Sequence, residues 1–294
     1  MTSLSEQLRE TVQDSILQVP GVGSALLARM AQRIGFQACY FSGAAFASGS
    51  LGIPDIGLFT LSELSQAVGV ITRRIDIPMI VDADTGFGGP LHVERTMQEL
   101  GRVNAAAVQL EDQQLPKRCG HLSGKTLITT EEMCQKLRAA ANANAQGNPI
   151  IIARTDARDL EGIDAAIERS KRYIDAGAEW IFPEALTSPQ EFEKFAREVE
   201  VPLVANMTEF GKSPLLTLNE LSDMGYAVVL YPVTLQRVMM RAAEAAMGVI
   251  ASDGTQESIL DLMQTREELY DLIDYQDFEE RDRHMMGDGS TWEN

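Results

Sequence analysis

The sequence has few basic residues, few cysteines and no long apolar run. Lysine and arginine together number 25 against 43 acidic residues in 294, so the formal charge is −18. A field of this sign repels nucleic acids and anionic membranes, and we expect neither as a partner. No stretch reaches the roughly 18 apolar residues of a membrane-spanning helix. The segment MTSLSEQLRE also lacks the basic and then apolar order of a signal peptide, and we expect a cytoplasmic protein.

The three cysteines are too few and too irregularly spaced for a disulfide framework or a zinc site. Cys39 falls in a predicted strand and Cys134 in a predicted helix, where free cysteines are usually buried hydrophobes. Cys119 lies in a polar segment, KRCGH, beside two cations. Neighbouring cations lower the pKa of a thiol toward neutrality, so we expect Cys119 to exchange a proton near pH 7. A nucleophilic role stays open on the same facts, although no acyl-transfer triad is evident.

Eight short apolar runs alternate with helical periodicity, which predicts an α/β fold. The runs are residues 16–20, 38–42, 79–84, 106–111, 150–154, 180–184, 203–206 and 227–231. Buried parallel strands read as continuous apolar runs, so eight of them favour a (β/α)₈ TIM-type barrel, with a doubly wound open sheet as the rival. The predicted outer helices include residues 92–103, 131–145 and 162–176.

Two further helices, residues 235–250 and 256–275, follow the eighth strand. The second is apolar on one face and needs a partner surface, either its own barrel or a neighbouring subunit. We therefore predict a single domain with a barrel over residues 11–250, a C-terminal helical extension over 251–280, and a tail over 281–294.

Charged and polar residues end five consecutive predicted strands. A single carboxylate after a strand usually caps the next helix. In a barrel, however, the C-terminal strand ends form the active site, and five such ends in a row indicate a site. The residues are Asp82 and Asp84, Glu111 and Asp112, Arg154, Glu184, and Asn206 with Thr208 and Glu209.

Asp82 and Asp84 are two residues apart, so both side chains point to the same face of the strand. Carboxylates without a nearby histidine or cysteine suit Mg²⁺ or Mn²⁺, which waters and substrate would also hold, and they disfavour zinc.

The loop after the fourth predicted strand, residues 111–125, is polar and is interrupted by Pro116. Its Gly120 and Gly124 could act as hinges of a lid over the barrel mouth. Arginine suits carboxylate recognition, which makes candidates of Arg154, Arg237 and Arg266.

These segments resemble the isocitrate lyase and phosphoenolpyruvate mutase superfamily, and within it the methylisocitrate lyases, over nearly the whole chain. The similar segments are YFSGAA, SLGIPDIG, VDADTGFGG, LEDQQLPKRCGH, ARTDA, FPEA, ANMTEFG, LYP and MQTREELY. The KRCGH motif after a strand-terminal Glu-Asp pair is the most specific of them. The resemblance implies a barrel whose C-terminal helix is swapped between subunits, in a homotetramer.

The resemblance also implies a reaction, the Mg²⁺-dependent cleavage of (2S,3R)-2-methylisocitrate to pyruvate and succinate in the methylcitrate cycle of propionate breakdown. Asp82 and Asp84 would hold the metal, with Asp55 and Glu111 ordering its water shell. Cys119 would protonate the succinate carbanion, and Tyr40 would remove the hydroxyl proton, with a metal-linked carboxylate as the competing base. The tricarboxylate substrate would contact Ser42, Gly43, Ala44, Cys119, Gly120, Arg154, Glu184, Asn206, Met207, Thr208, Arg237 and Arg266.

Other functions remain open on the sequence. 2,3-Dimethylmalate lyase shares the cysteine segment and the cleavage chemistry, and carboxyphosphonoenolpyruvate phosphonomutase also carries KRCGH. The FPEA and NMTEFG segments favour the lyases over the mutase. A catalytically silent oligomeric binding protein is the alternative outside enzymes, and the retention of Asp82, Asp84 and Cys119 argues against it.

Overall fold

A computed structural model describes residues 2–121, 124–144 and 148–286. The chain divides into two compact units, Met1–Arg237 and Val238–Asn294. None of the described helices is long and apolar enough to cross a membrane.

The first unit is built on eight parallel strands in sequence order. They are β1 Leu17–Pro20, β2 Cys39–Phe41, β3 Met79–Asp82, β4 Ala107–Glu111, β5 Ile150–Thr155, β6 Trp180–Pro183, β7 Val204–Asn206 and β8 Val228–Tyr231. Strands β2 to β6 pair in order, and β1 pairs with β8, which pairs with β7. Single parallel bridges, Gly21 to Tyr40 and Ile181 to Leu203, join these two sheets, so the strands close into a barrel. The predicted (β/α)₈ barrel is therefore confirmed, and the open sheet is excluded.

Helices surround the strands as the periodicity predicts. Those of the first unit are α1 Leu4–Asp14, α2 Ala25–Ile34, α3 Gly43–Ala45, α4 Leu61–Thr72, α5 Pro90–Arg102, α6 Thr130–Ala143, α7 Ala157–Glu161, α8 Ile163–Asp175, α9 Pro189–Glu198 and α10 Leu218–Asp223. A π-helical turn, Phe46–Ser50, follows α3. One apolar cluster fills the space between strands and helices, and a second fills the barrel interior.

Helix α1 closes the N-terminal end of the barrel, and the predicted barrel boundary at residue 11 cuts through it. Ser3 caps the helix and Glu6 completes a capping box, a signal that was present in the sequence. Leu8 is fully buried in the interior cluster with Leu17 and Val19. The apolar interior therefore begins with a helix that lies before the first strand.

The second unit continues the long helix α11 Thr234–Asp253 and adds a 3₁₀ turn, Glu257–Leu262, with helices α12 Arg266–Leu272 and α13 Tyr275–Met286. A continuous helix over residues 256–275 was the expectation, and it is wrong, because Met263 is extended and Thr265 caps a new helix. The predicted tail is helical as far as Met286, and its remainder, residues 287–294, lies outside the described residues. Exchange of this extension between subunits remains a prediction.

Candidate active site

The C-terminal strand ends converge on a small cavity of about 100 Å³ that is lined by several charged side chains. Charged side chains around a cavity favour a charged or polar ligand. Its lining comprises Tyr40, Ser42, Ala44, Asp55, Asp82, Lys117, Arg118, Cys119, Gly120, His121, Arg154, Phe182, Glu184, Asn206, Thr208, Leu230, Pro232, Val233 and Arg237. Most of the residues predicted from the strand ends therefore meet at one place.

Asp82 is held firmly at the end of β3. Its Oδ1 accepts hydrogen bonds from Asp84 N, at 3.1 Å, and from Gln109 Nε2, at 3.2 Å, while Oδ2 accepts from Gly43 N at 3.1 Å. A Cβ on Gly43 would come within 3.1 Å of carboxylate oxygens of both aspartates. Gly43 thus allows the backbone to approach the carboxylate pair closely, which a larger residue would crowd.

Asp84 is the strained member of the pair. Its φ of 48° lies in the left-handed region, which non-glycine residues seldom adopt. Lys117 Nζ lies 2.8 Å from Asp84 Oδ1 and also pairs with Asp55. Burial raises the pKa of Asp84 to about 7, with Asp82 adding to the shift and Lys117 opposing it. The KRCGH segment is therefore tied to the acidic centre by a lysine that the strand-end pattern did not single out.

The donor set fits a hard divalent cation. Asp84 Oδ2 and Glu111 Oε1 are buried and have no hydrogen-bond partner among the described residues. Buried polar atoms are normally satisfied, so orphaned carboxylate oxygens indicate a missing positive partner. No three His, Cys, Asp or Glu side chains in the described ranges form a ready-made metal cage. Mg²⁺ does not need one, since one or two carboxylates with waters and substrate suffice.

His121 lies two residues after Cys119 and lines the same cavity. His121 Nδ1 accepts a hydrogen bond from Lys212 N at 2.9 Å, and His121 Nε2 lies 2.8 Å from Glu184 Oε1. His121 thereby joins three parts of the site: the KRCGH segment, the end of β6 and the loop after β7. No local sequence pattern assigns a role to this histidine.

The expected lowering of the Cys119 pKa is wrong. Burial raises the pKa of the thiol above its usual value and outweighs the His121 backbone hydrogen bond and the charge of Arg154, while Glu184 adds to the increase. The neighbouring cations do not compensate, because Lys117 turns away to Asp55 and Asp84. Cys119 is therefore a protonated thiol at neutral pH, which is suited to donating a proton.

Arg154 and Glu184 form the cationic and anionic wall of the cavity. Arg154 donates to both oxygens of Asp156, at 3.0 and 3.2 Å, and its Nε lies 3.5 Å from Glu111 Oε2. Burial alone would raise the pKa of Glu184, but Arg154, His121 and the Asn206 amide lower it to about 2. Glu184 is thus an anion that is already compensated, and Asp156 holds Arg154 at the cavity wall through two hydrogen bonds.

Tyr40 donates a hydrogen bond from Oη to Gln109 Oε1 at 3.0 Å. Burial and the charge of Asp82 raise the pKa of this phenol well above its usual value. The phenol is protonated in this structure, where it acts as a donor.

Some of the remaining predicted site residues line the cavity and others do not. Ser42, Ala44, Asn206 and Thr208 line the cavity, as does Arg237, whose Nε lies 3.4 Å from Glu209 Oε2. Met207 does not line it, because its buried sulfur accepts a hydrogen bond from Leu216 N at 3.3 Å. Arg266 is the first residue of α12 in the second unit. Its place in the substrate pocket remains a prediction.

These features define a (β/α)₈-barrel enzyme with a cation-compatible acidic centre and a protonated thiol above it. The phosphoenolpyruvate phosphomutase family profile matches residues 8–251. The chain therefore belongs to this family, within the phosphoenolpyruvate mutase/isocitrate lyase superfamily.

Among curated relatives, the chain is similar to proteins named 2-methylisocitrate lyase. The protein from Aeropyrum pernix is 52% identical over 95% of this chain and 90% of its own. The protein from Halalkalibacterium halodurans is 48% identical over 96% of this chain and 93% of its own.

Two solved structures extend the comparison. A 2,3-dimethylmalate lyase superposes with a TM-score of 0.91 at 32% identity, over 99% of both chains. A phosphonopyruvate hydrolase in complex with oxalate and Mg²⁺ gives a TM-score of 0.84 at 25% identity, over 94% of this chain and 97% of that one.

Proposed function

We propose that the protein is a carbon–carbon lyase that cleaves (2S,3R)-2-methylisocitrate to pyruvate and succinate in propionate breakdown. The observation that carries the proposal is the protonated Cys119 thiol, which lines the same cavity as Asp82, Arg154 and Glu184. The names of the relatives, at 43–52% identity over at least 90% of the chain, support the choice of substrate.

The substrate is a tricarboxylate, whereas the chain carries a formal charge of −18. Arg154 and Arg237 supply positive charge at the cavity, and Ser42 lines it as the N-cap of α3, where its hydroxyl accepts a hydrogen bond from Ala45 N. Asn206 keeps Oδ1 without a partner among the described residues. Local cations and orphaned polar groups therefore provide binding that the overall charge opposes.

Asp82 and Asp84 would hold Mg²⁺, with Mn²⁺ as an alternative, and Asp55 and Glu111 would order its waters. Such an ion polarises the hydroxyl and carboxylate oxygens of the substrate and stabilises the negative charge that develops there. The fit of the ion follows from the unpartnered oxygens of Asp84 and Glu111. A superfamily structure holds Mg²⁺ with oxalate, which supports the choice of metal.

The bond between C2 and C3 breaks after the C2 hydroxyl loses its proton. The oxygen electrons form the carbonyl of pyruvate, and the electron pair of the broken bond remains on C3 as a carbanion conjugated with its carboxylate. Cys119 gives its proton to C3, which yields succinate, and the thiolate regains a proton before the next cycle. Tyr40 stays the proposed base, although the raised pKa of its phenol favours the competing carboxylate base in this structure.

2,3-Dimethylmalate lyase is the second candidate function. It is favoured by the structural neighbour with a TM-score of 0.91, although that neighbour is only 32% identical. Both reactions release a 2-oxo acid, pyruvate from methylisocitrate and, from dimethylmalate, pyruvate with propionate.

A substrate panel tests the proposal. Purified protein with Mg²⁺ is given methylisocitrate, isocitrate, dimethylmalate or oxaloacetate, and products are identified by chromatography. We expect pyruvate and succinate from methylisocitrate, complete loss with EDTA, and recovery on adding Mg²⁺. Turnover of dimethylmalate alone would keep the mechanism and replace the substrate. No turnover of any compound would favour the silent binding protein.

The assembly belongs to the same proposal. In a homotetramer with exchanged C-terminal helices, Arg266 would have a role that it does not have in the single chain. Light scattering measures the mass of the particle, and truncation before Gly254 should shift it to a smaller species. An unchanged mass after truncation would contradict the exchange.

A further inference from the structure

Lys125 is a buried lysine that does not line the cavity. Its side chain is 0% exposed, and a lysine in such a place must be fully paired or it destabilises the fold. It stands 13 residues after Asp112 on the chain, just before the helix α6. Neither the strand-end pattern nor the proposed chemistry uses this residue.

The ammonium group of Lys125 joins the KRCGH segment to the strand ends. Nζ donates to the carbonyl oxygen of Gly120 and to Asp156 Oδ1, the latter at 3.0 Å. Asp159 Oδ2 lies 3.7 Å away and adds a second negative charge. The charge of Lys125 is thus compensated by two carboxylates, and its ammonium group also donates to the carbonyl oxygen of Gly120, the residue that follows Cys119.

Asp156 is shared between Lys125 and Arg154. Arg154 donates to Asp156 through Nε and Nη2, and Asp156 N donates to Asp112 Oδ1 at 2.9 Å. One buried carboxylate therefore fixes both the arginine that lines the cavity and the lysine that holds Gly120. Because both bonds involve ionised groups, they are among the stronger hydrogen bonds.

Gly120 leaves no space for adjustment on the side that faces the cavity. A Cβ there would be 2.3 Å from Arg154 Nη2 and 2.5 Å from Glu184 Cγ. The residue is confined between these side chains and Lys125. Any loss of the Lys125 bond would release the Gly120 carbonyl, and with it the backbone that carries Cys119.

We propose that Lys125 is a positioning residue that acts through Gly120 and Asp156 to hold the Cys119 thiol over the cavity. It touches neither substrate nor metal. Its role rests on the proposed function, because the thiol is useful only if it delivers a proton. A displacement of about 1 Å at a reacting group can reduce a rate by roughly 100-fold.

The first measurement needs no substrate. Lys125→Met keeps an unbranched side chain that is one heavy atom shorter, and it removes the charge and the hydrogen-bond donors. Iodoacetamide labelling of the folded protein, followed by peptide mass analysis, gives the alkylation rate of each cysteine. We expect Cys119 to react about tenfold faster in the variant, because a freed segment exposes a thiol that is now partly buried. Cys39 and Cys134 serve as internal references, since both are buried elsewhere.

The matched control is Arg9→Met. Arg9 donates to Glu179 Oε2 at 2.9 and 2.7 Å at the other end of the barrel. This variant also removes a long cation from a carboxylate, and it should leave the Cys119 alkylation rate unchanged. Equal acceleration in both variants would show a general loosening of the fold and overturn the proposal. If Lys125→Met does not fold, Lys125→Gln is measured by the same criteria.

The second measurement uses turnover. For methylisocitrate we expect kcat to fall about 30- to 100-fold in Lys125→Met, with KM changed less than about threefold, because Asp156 still holds Arg154 through two hydrogen bonds. A rise in KM at constant kcat would assign Lys125 to substrate binding and contradict the positioning role. Failure of the wild type to cleave methylisocitrate would refute the substrate alone, since the alkylation result stands without it. An unchanged alkylation rate would refute the positioning role, whatever the substrate.

Discussion

Most polar groups at the N-terminal end of the barrel are paired, with Asn144 Oδ1 as an exception, whereas several buried groups at the C-terminal end have no partner among the described residues. Ser5 Oγ donates to Ala106 O at 2.8 Å, and Arg9 pairs with Glu179. At the other end, oxygens of Asp84, Glu111 and Asn206 have no partner in the described part of the chain. Unpaired buried groups cost stability, so a fold retains them where a ligand completes them. The two ends should therefore respond differently to substitution.

Replacing Cys119 by alanine should give the largest effect. The thiol supplies the proton for the carbanion, and general acids contribute about 10²- to 10⁴-fold. We expect kcat for methylisocitrate to fall by that range, with Mg²⁺ affinity, measured by calorimetry, unchanged. A fully active variant would refute the role of Cys119 as the proton donor. Cys134→Ala, on helix α6, is the matched control and should keep its activity.

Replacing Leu8 by alanine should affect the N-terminal end of the barrel, and it should lower stability and leave activity unchanged. Leu8 is fully buried in the interior cluster, and such truncations cost about 2–5 kcal/mol. We expect a lower midpoint in urea, followed by circular dichroism, and an unchanged kcat at 25 °C. A loss of activity in the folded variant without a change in stability would contradict the separation of the two ends.

Replacing Gly120 by alanine should lower activity through steric crowding alone at the C-terminal end of the barrel. The added methyl would lie 2.3 Å from Arg154 Nη2, so the segment or the arginine must move. We expect kcat/KM to fall about 100-fold. Gly23→Ala is the control, because a Cβ there meets nothing within 4 Å. Equal losses in the two variants would indicate backbone flexibility as the cause, not crowding.

Replacing Asp84 by asparagine should make the folded protein more stable, because the buried carboxylate at the C-terminal end of the barrel destabilises it. Burial raises the pKa of Asp84 to about 7, above the value of an aspartate in the unfolded chain, so the unfolded chain ionises first and the destabilisation develops between about pH 4 and pH 7. With EDTA present, we expect the variant to unfold about 2–4 °C above the wild type at pH 8 and at nearly the same temperature at pH 4. Asp14→Asn, at an exposed position, should show no such difference between the two pH values. A wild type that is the more stable protein at pH 8 would contradict this account.

The strands could be predicted because the signal for each strand lies within its own short stretch of sequence. Buried parallel strands are continuous apolar runs, and each predicted run overlaps the observed strand, for example Met79–Asp82 and Ile150–Thr155. Charged and polar residues at the ends of those runs identified part of the cavity lining, including Asp82, Arg154 and Glu184. Helix α1 was not predicted, although the spacing of Ser3 and Glu6 is that of a capping box, because this helix precedes the first apolar run.

The contacts between distant segments were not predictable. Lys117 and Cys119 are close in the sequence, yet the lysine pairs with Asp55 and Asp84, and the pKa of the thiol moves upward. His121 and Lys125 looked like ordinary polar residues of a loop. Their roles depend on partners 91 and 31 residues away, Lys212 and Asp156, which no local pattern reports.

The central claim, that the half-buried Cys119 thiol at the C-terminal end of the barrel delivers the proton, is tested most directly by cleavage in D₂O. The account predicts that the wild type forms succinate with one deuterium in a single configuration, as measured by NMR of a chiral derivative. In Cys119→Ser, residual succinate should carry deuterium in both configurations, because water then reaches the carbanion from either face. A single configuration preserved in Cys119→Ser would show that another group donates the proton, and would contradict the account.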